Sequence, residues 1–151
     1  MPKFSGAQAA GCGPVAEAFA AGTDVCRPVR TPDTIAKSLA IGNPADGPYA
    51  VELARKTGGS IDAVTDDEIR SAIRLLAETT GIFTETAGGV TTAVLRKLAE
   101  RGDIDPSERV VVYITGEGLK TLDAVRDTFA VHTVEPSLET FEAGVPEAVT
   151  A

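Results

Sequence analysis

Residues 110 to 120 read V-V-V-Y-I-T-G-E-G-L-K, a β-branched run that breaks off into a hydroxyl at Thr115, two glycines and the start of a helical pattern. A buried strand ending there would present a hydroxyl and open backbone at its carboxyl edge, where open α/β sheets bind ligands. Gly116 and Gly118 would let the backbone approach that ligand, and a helix starting near Leu119 would aim free amides at an anion. The spacing is not that of a P-loop, which needs G-x-x-x-x-G-K-[ST], nor of the dinucleotide fingerprint, whose third glycine is missing. Spacing alone therefore leaves two readings open: a strand-end ligand site, or a tight turn with no ligand.

The stretch T-E-T-A-G-G, residues 84 to 89, repeats the same architecture. A carboxylate at Glu85, at the mouth of a buried strand, is placed to orient a cofactor ring or hold a proton. The same acid would also be stabilised by the dipole of a helix starting after it, with no ligand involved. In the loop A-I-G-N-P-A-D, Asn43 sits between Gly42 and Pro44, the usual surroundings of a turn residue. Lys37, Lys56, Lys97 and Lys120 lie on or beside helical faces that read as exposed, so none is desolvated enough for a Schiff-base nucleophile. Ser38 and Ser60 have no neighbouring base, and His132 stands alone in a polar tail. Cys12 and Cys26 are too few and too far apart for a metal cluster, and read as small core residues.

The elements that must position these groups alternate. Residues 3 to 9 read as a short strand, followed by Pro14 at the first turn of a helix carrying Val15, Ala18 and Phe19. A short helix over residues 34 to 39 precedes the loop at 41 to 48, and a further helix runs from Ala45 to Lys56. S-I-D-A-V-T alternates like a strand. Thr65-Asp66-Asp67-Glu68 is a capping box, behind which Ile69, Ala72, Ile73, Leu76 and Ala77 recur at helical spacing. Residues 82 to 85 predict a brief buried strand, a helix with Val90, Val94, Leu95 and Leu98 on its apolar face follows, and 109 to 114 predict a last strand. Short apolar strands between helices imply an α/β fold, a partial doubly wound, mainly parallel sheet with flanking helices. Residues 1–130 form that lobe, and 131–151 form an acidic, irregular tail.

The 151 residues suffice for one domain with a single core, and 22 acidic against 14 basic side chains give a formal charge of -8. That balance repels phosphate backbones and anionic lipid, so neither nucleic acid nor membrane is the expected partner. With no signal segment and no spanning run, the chain reads as cytoplasmic.

Five blocks together carry a resemblance. G-A-Q-A-A-G-C-G-P-V, T-I-A-K-S-L-A-I-G-N-P-A-D-G-P, V-T-D-D-E-I, G-I-F-T-E-T-A-G-G and I-T-G-E-G-L-K-T, in that order and spacing, resemble the second half of threonine synthase from near residue 4 to about residue 126. The resemblance implies a pyridoxal 5'-phosphate enzyme of the tryptophan-synthase-β fold type that converts O-phosphohomoserine and water into threonine and phosphate. It implies that the Thr115 hydroxyl meets the pyridine nitrogen of the cofactor, beside Gly116. It makes Ala40, Ile41, Gly42 and Asn43 pocket lining, and Glu85 a residue of the pocket wall.

The family's Schiff-base lysine, phosphate loop and most substrate-phosphate contacts belong to an N-terminal half whose motifs are absent here. This chain is thus expected to supply no catalytic residue of its own, to need that half in cis or in trans, and to be inactive alone. Uncovered strand edges would then favour aggregation or a homo-oligomer. Two alternatives stay open: a noncatalytic remnant or interaction module, and another lyase of the same fold type, such as a threonine dehydratase or a cysteate synthase. The I-G-N-P-A-D block argues against the dehydratase.

Overall fold

The computed structural model describes residues 1–129 and 132–144. Strand β1 (Gly6–Ala9) leads through a 3-10 turn into helix α1 (Pro14–Ala20), and helix α2 (Gly47–Thr57) leads into strand β2 (Ile61–Val64). The two strands pair in parallel, Gly6 opposite Ile61 and Ala9 opposite Val64. Helices α3 (Asp66–Thr80) and α4 (Thr86–Glu100) follow and pack on each other.

Side chains alternate across a strand, and that alternation splits the core in two. Ile61 and Ala63 pack with Val15, Ala18, Val51 and Ala54 of α1 and α2. Val64 and Ala9 pack with Ile69, Ile73, Val90 and Val94 of α3 and α4. Helices therefore cover both faces of the small sheet, the doubly wound arrangement expected from the alternating elements. Gln8 joins sheet to helix, its Oε1 accepting the Val15 and Ala16 amides at 2.9 Å, so that a strand side chain caps the next helix.

Local signals set the helix ends. Thr65 accepts the Glu68 amide while the Glu68 carboxylate accepts the Thr65 amide at 2.6 Å, the reciprocal box that starts α3. Gly58 and Gly81, both at positive φ, close α2 and α3. Just before α3, Thr34 donates to Asp66 at 2.6 Å and the Ile35 amide donates to its second oxygen at 3.0 Å, which latches residues 34 and 35 onto the helix start.

Two expected strands are not formed. Residues 82 to 85 contribute a single antiparallel bridge, Thr84 to Glu117. Residues 109 to 114 carry no turn, bend or ladder: no backbone–backbone hydrogen bond involves them among the described residues, and Val111 and Tyr113 are 77% and 74% exposed. Strand preference reflects packing against neighbours on a pleated surface, and without a ladder partner a β-branched run stays single. Residues 34 to 39 give only a 3-10 turn, Lys37–Leu39. The 118 to 124 stretch is likewise 3-10 rather than α-helical, broken by Thr121 at φ -134 and ψ 40. In the tail, helix α5 (Leu138–Gly144) replaces part of the irregular structure expected, with none of its residues buried. Residues 131 and 145–151 of that tail lie outside the described residues.

The joint between β2 and α4 makes stability depend on pH. Arg101 donates to both Asp62 oxygens, at 2.9 and 3.3 Å. Burial pushes the Asp62 carboxyl up, but hydrogen bonds from Arg101 and Ser60 outweigh it and hold the group below the usual carboxylate range. The Thr65 amide likewise holds the Glu68 carboxyl low. Both groups bind protons less readily folded than unfolded, so the urea midpoint should be flat above about pH 5 and fall below it. Asp62→Asn should make the fall shallower. A midpoint that holds steady or rises below about pH 4 would contradict this account.

Candidate functional site

The T-E-T-A-G-G and T-G-E-G-L-K-T stretches meet at the N-terminus of α4. The glycine pair Gly88 and Gly89 allows this: a Cβ on Gly88 would overlap the Thr84 hydroxyl, and one on Gly89 would stand 2.7 Å from Ile73 Cγ1 in α3. Residues 84 to 90 are consequently all buried.

The second stretch is fastened to the first by its backbone. The Glu85 amide donates to the Gly116 carbonyl at 3.3 Å, the Thr84 hydroxyl donates to the same oxygen at 3.3 Å, and the Gly118 amide donates to the Phe83 carbonyl at 3.1 Å. Gly116 turns at φ 76, and a Cβ there would overlap the Glu85 carboxylate. Glu85 is the N-cap residue of α4 but does not cap with its side chain. Its carboxylate is 12% exposed, with the Lys120 ammonium 3.8 Å away. The cap comes from Thr121 instead, whose Oγ1 accepts the Thr86 amide at 3.2 Å. Thr121→Val should therefore destabilise the chain by about 1 kcal/mol, with Thr121→Ser close to wild type, in urea unfolding. Equal losses for serine and valine would show that the hydroxyl is not the cap.

Two hydroxyls remain without partners. Thr86 Oγ1 is buried and makes no hydrogen bond. Thr115 is exposed, and none of the hydrogen bonds that close the cluster uses its hydroxyl.

Glu85, Thr115 and Gly116 are thus brought together, whereas the 40 to 43 loop lies apart. Ala40 and Ile41 close back on residues 37 and 39, and the Gly42 carbonyl accepts the Val29 amide at 2.9 Å. Ile41 is 60% exposed, and Asn43 lines an open hollow of about 450 Å³ with Asp24, Val25 and Cys26. Its link to the cluster runs through Leu39, which packs on the same core as Phe83 and Val90. Lys97, read as exposed, is half-buried and donates to the Ala63 carbonyl at 2.9 Å, because the α4 face that carries it lies against β2. Cys12 is buried and Cys26 half-buried, and burial pushes both thiols up. Among the described residues no group of acids, histidines and cysteines is arranged to hold a metal ion, and no helix is long and apolar enough to cross a membrane.

Sequence reasoning missed Thr121, Thr86 and the Lys120 contact. The only signal for them was the threonine after the T-G-E-G-L-K block, and nothing local says which helix that hydroxyl will reach.

Comparison with known proteins bears on what this cluster is for. Residues 1–116 match the family described as pyridoxal-phosphate dependent enzyme. The chain belongs to that family. The threonine synthase of Methanocaldococcus jannaschii is 45% identical over 124 residues, 82% of this chain and 31% of that protein. The threonine synthase of Halalkalibacterium halodurans is 41% identical over 125 residues, 79% of this chain and 35% of that protein. The chain spans about a third of the length of the curated relatives it matches. Among solved structures, Escherichia coli threonine synthase superposes with a TM-score of 0.62 at 19% identity, over 94% of this chain and 32% of that one. A fungal L-serine ammonia-lyase from Rhizomucor miehei gives 0.60 at 22%, over 83% and 41%. Those two likenesses establish the fold: part of the architecture of the pyridoxal-phosphate family.

Pyridoxal phosphate is that family's cofactor, and the cluster fits one end of it. An exposed hydroxyl at Thr115, next to a glycine with no side chain to intrude, suits a neutral ring edge that needs one hydrogen-bond partner. Within residues 84–86 and 115–121 the one cation, Lys120, sits beside Glu85 rather than over an open anion pocket. The donor set therefore matches the ring better than the phosphate.

Proposed function

We propose that this chain supplies the ring-binding part of a cytoplasmic threonine synthase, which converts O-phosphohomoserine and water into threonine and phosphate. The observation that carries this is the exposed, unengaged Thr115 hydroxyl beside Gly116 and Glu85, at the end of a family match running to residue 116. When bound, the cofactor supplies an electron sink for carbanion chemistry. Thr115 holds the ring nitrogen through a neutral hydroxyl, which unlike a carboxylate does not enforce a proton there. Gly116 keeps the approach clear and Glu85 forms the wall behind it, while the loop of Ala40, Ile41, Gly42 and Asn43, expected as pocket lining, reaches the cluster only through Leu39 and the core it shares with Phe83. The lysine that anchors the cofactor and the groups that hold its phosphate come from the part of the enzyme this chain does not match, in cis or in trans.

The test pairs this chain with the portion of M. jannaschii threonine synthase that lies outside the aligned region. The chain alone should release no phosphate from O-phosphohomoserine, and borohydride should fix no pyridoxal phosphate on its lysines. The pair should release phosphate and threonine one for one. Turnover by the chain alone would overturn the need for a partner, and ammonia from serine or threonine in place of phosphate would favour a dehydratase.

A further inference from the structure

We infer that Thr121 is a positioning residue, which by capping α4 in place of Glu85 keeps the Glu85 carboxylate off its own helix and against Gly116, next to the residue whose hydroxyl is assigned to the cofactor ring. What that end of the site serves rests on the reading just given. The exchange of one cap for another is a matter of this chain's own side chains.

The first turn of α4 leaves its own oxygens unused. Glu85 at the N-cap makes no capping bond, and the buried hydroxyl of Thr86 behind it has no partner. The acceptor comes instead from 35 residues away, Thr121 Oγ1 taking the Thr86 amide at 3.2 Å. A carboxylate at a helix start gains from the open amides and from the dipole, so a Glu85 with no competitor would turn onto its own first turn.

The stretch that carries Thr121 is shaped to compete. Its 3-10 run over Gly118–Ala124 breaks at Thr121, where φ is -134 and ψ is 40, and the hydroxyl at that break is the one that meets α4. The Gly118 amide bonds the Phe83 carbonyl at 3.1 Å, so the run is fastened on both sides of Glu85. Glu117 accepts the Leu119 amide at 3.1 Å, which gives the run a cap of its own and leaves Glu85 free of that duty as well.

Glu85 takes the other orientation. Its carboxylate, 12% exposed, lies where a Cβ on Gly116 would overlap it, with the Lys120 ammonium 3.8 Å away. A buried anion is costly unless it is paired or hydrogen-bonded. Thr121 closes the helix-amide option, and Lys120, the residue directly before it, stabilises the one that remains.

A double-mutant cycle in the full chain alone, read by urea unfolding, tests the exchange. Without the Thr121 hydroxyl, Glu85 should swing onto the α4 amides and make good part of the loss. Glu85→Met, which keeps the length and removes the acceptor, should therefore raise the unfolding constant about fivefold more in the Thr121→Val background than in the wild type. Thr121→Ser should match the wild type throughout. Losses that simply add, or that are smaller together than apart, would overturn the inference and leave Thr121 a cap and nothing more.

In the assembly with the same M. jannaschii portion, Thr121→Val should shift the absorption of the bound cofactor and lower kcat for phosphate release about tenfold, with KM for O-phosphohomoserine held within about twofold. Thr121→Ser should do neither. An unchanged spectrum and kcat in the valine variant would overturn the positioning role even if the cycle is non-additive. A wild-type assembly that releases no phosphate would instead overturn the proposed function, and the cycle in the chain alone would still decide where Glu85 turns.

Discussion

Thr115→Asp is expected to lower phosphate release from O-phosphohomoserine on the order of 100-fold in the assembled enzyme, and to shift the absorption of the bound cofactor. Thr115 is exposed and unengaged in the fold, so the substitution should leave the chain's melting unchanged and act on chemistry alone. A carboxylate at this position would draw a proton onto the ring nitrogen, where a hydroxyl tolerates the neutral ring. Thr115→Ser should retain most of the activity, because it keeps the hydroxyl. Unchanged kinetics together with an unchanged spectrum in the aspartate variant would remove Thr115 from the site.

Gly116→Ala should destabilise the chain by roughly 2–4 kcal/mol, a large effect for one methyl group. Two causes add. The residue turns at φ 76, a conformation that an L side chain adopts only at some expense, and the new Cβ would overlap the Glu85 carboxylate. Relieving that overlap means moving either Glu85 or the Gly116 carbonyl, which accepts both the Glu85 amide and the Thr84 hydroxyl. Gly22 separates the two causes: it has nearly the same φ, 72, with nothing within 4 Å of an added Cβ. Gly22→Ala should therefore lose only about 1 kcal/mol in the same urea titration. Equal losses at the two positions would mean that the fit against Glu85 contributes nothing, and that the two stretches are not held together there.

Signals that act within one turn of chain were readable without coordinates. The Thr65 to Glu68 box starts α3 because both partners are three residues apart, and the apolar spacing of Ile69, Ala72 and Ile73 buries that face. Pro14 at the start of α1 and Gly58 and Gly81 at the ends of α2 and α3 behave as their backbone preferences require. The parallel pairing of the first two strands followed from short apolar runs separated by helices.

What failed was non-local. The run at 110–114 has strong strand character, but a strand needs a neighbour, and no residue in the run states whether one is present. Lys97 carries the spacing of a surface lysine, yet the face of α4 that holds it lies on β2, so its ammonium is drawn to the Ala63 carbonyl.

The sequence by itself determined the main helices, the first two strands and the family, because propensity, capping and motif spacing are properties of neighbouring residues. Only the tertiary structure decided that Glu85 and Gly116 share a backbone contact, that Thr121 caps a helix 35 residues away, and that Thr115 is exposed at the end of a run with no ladder partner among the described residues. Those contacts depend on chain segments brought together by burial of the core between α3 and α4, and burial is decided by the whole fold rather than by any stretch of it.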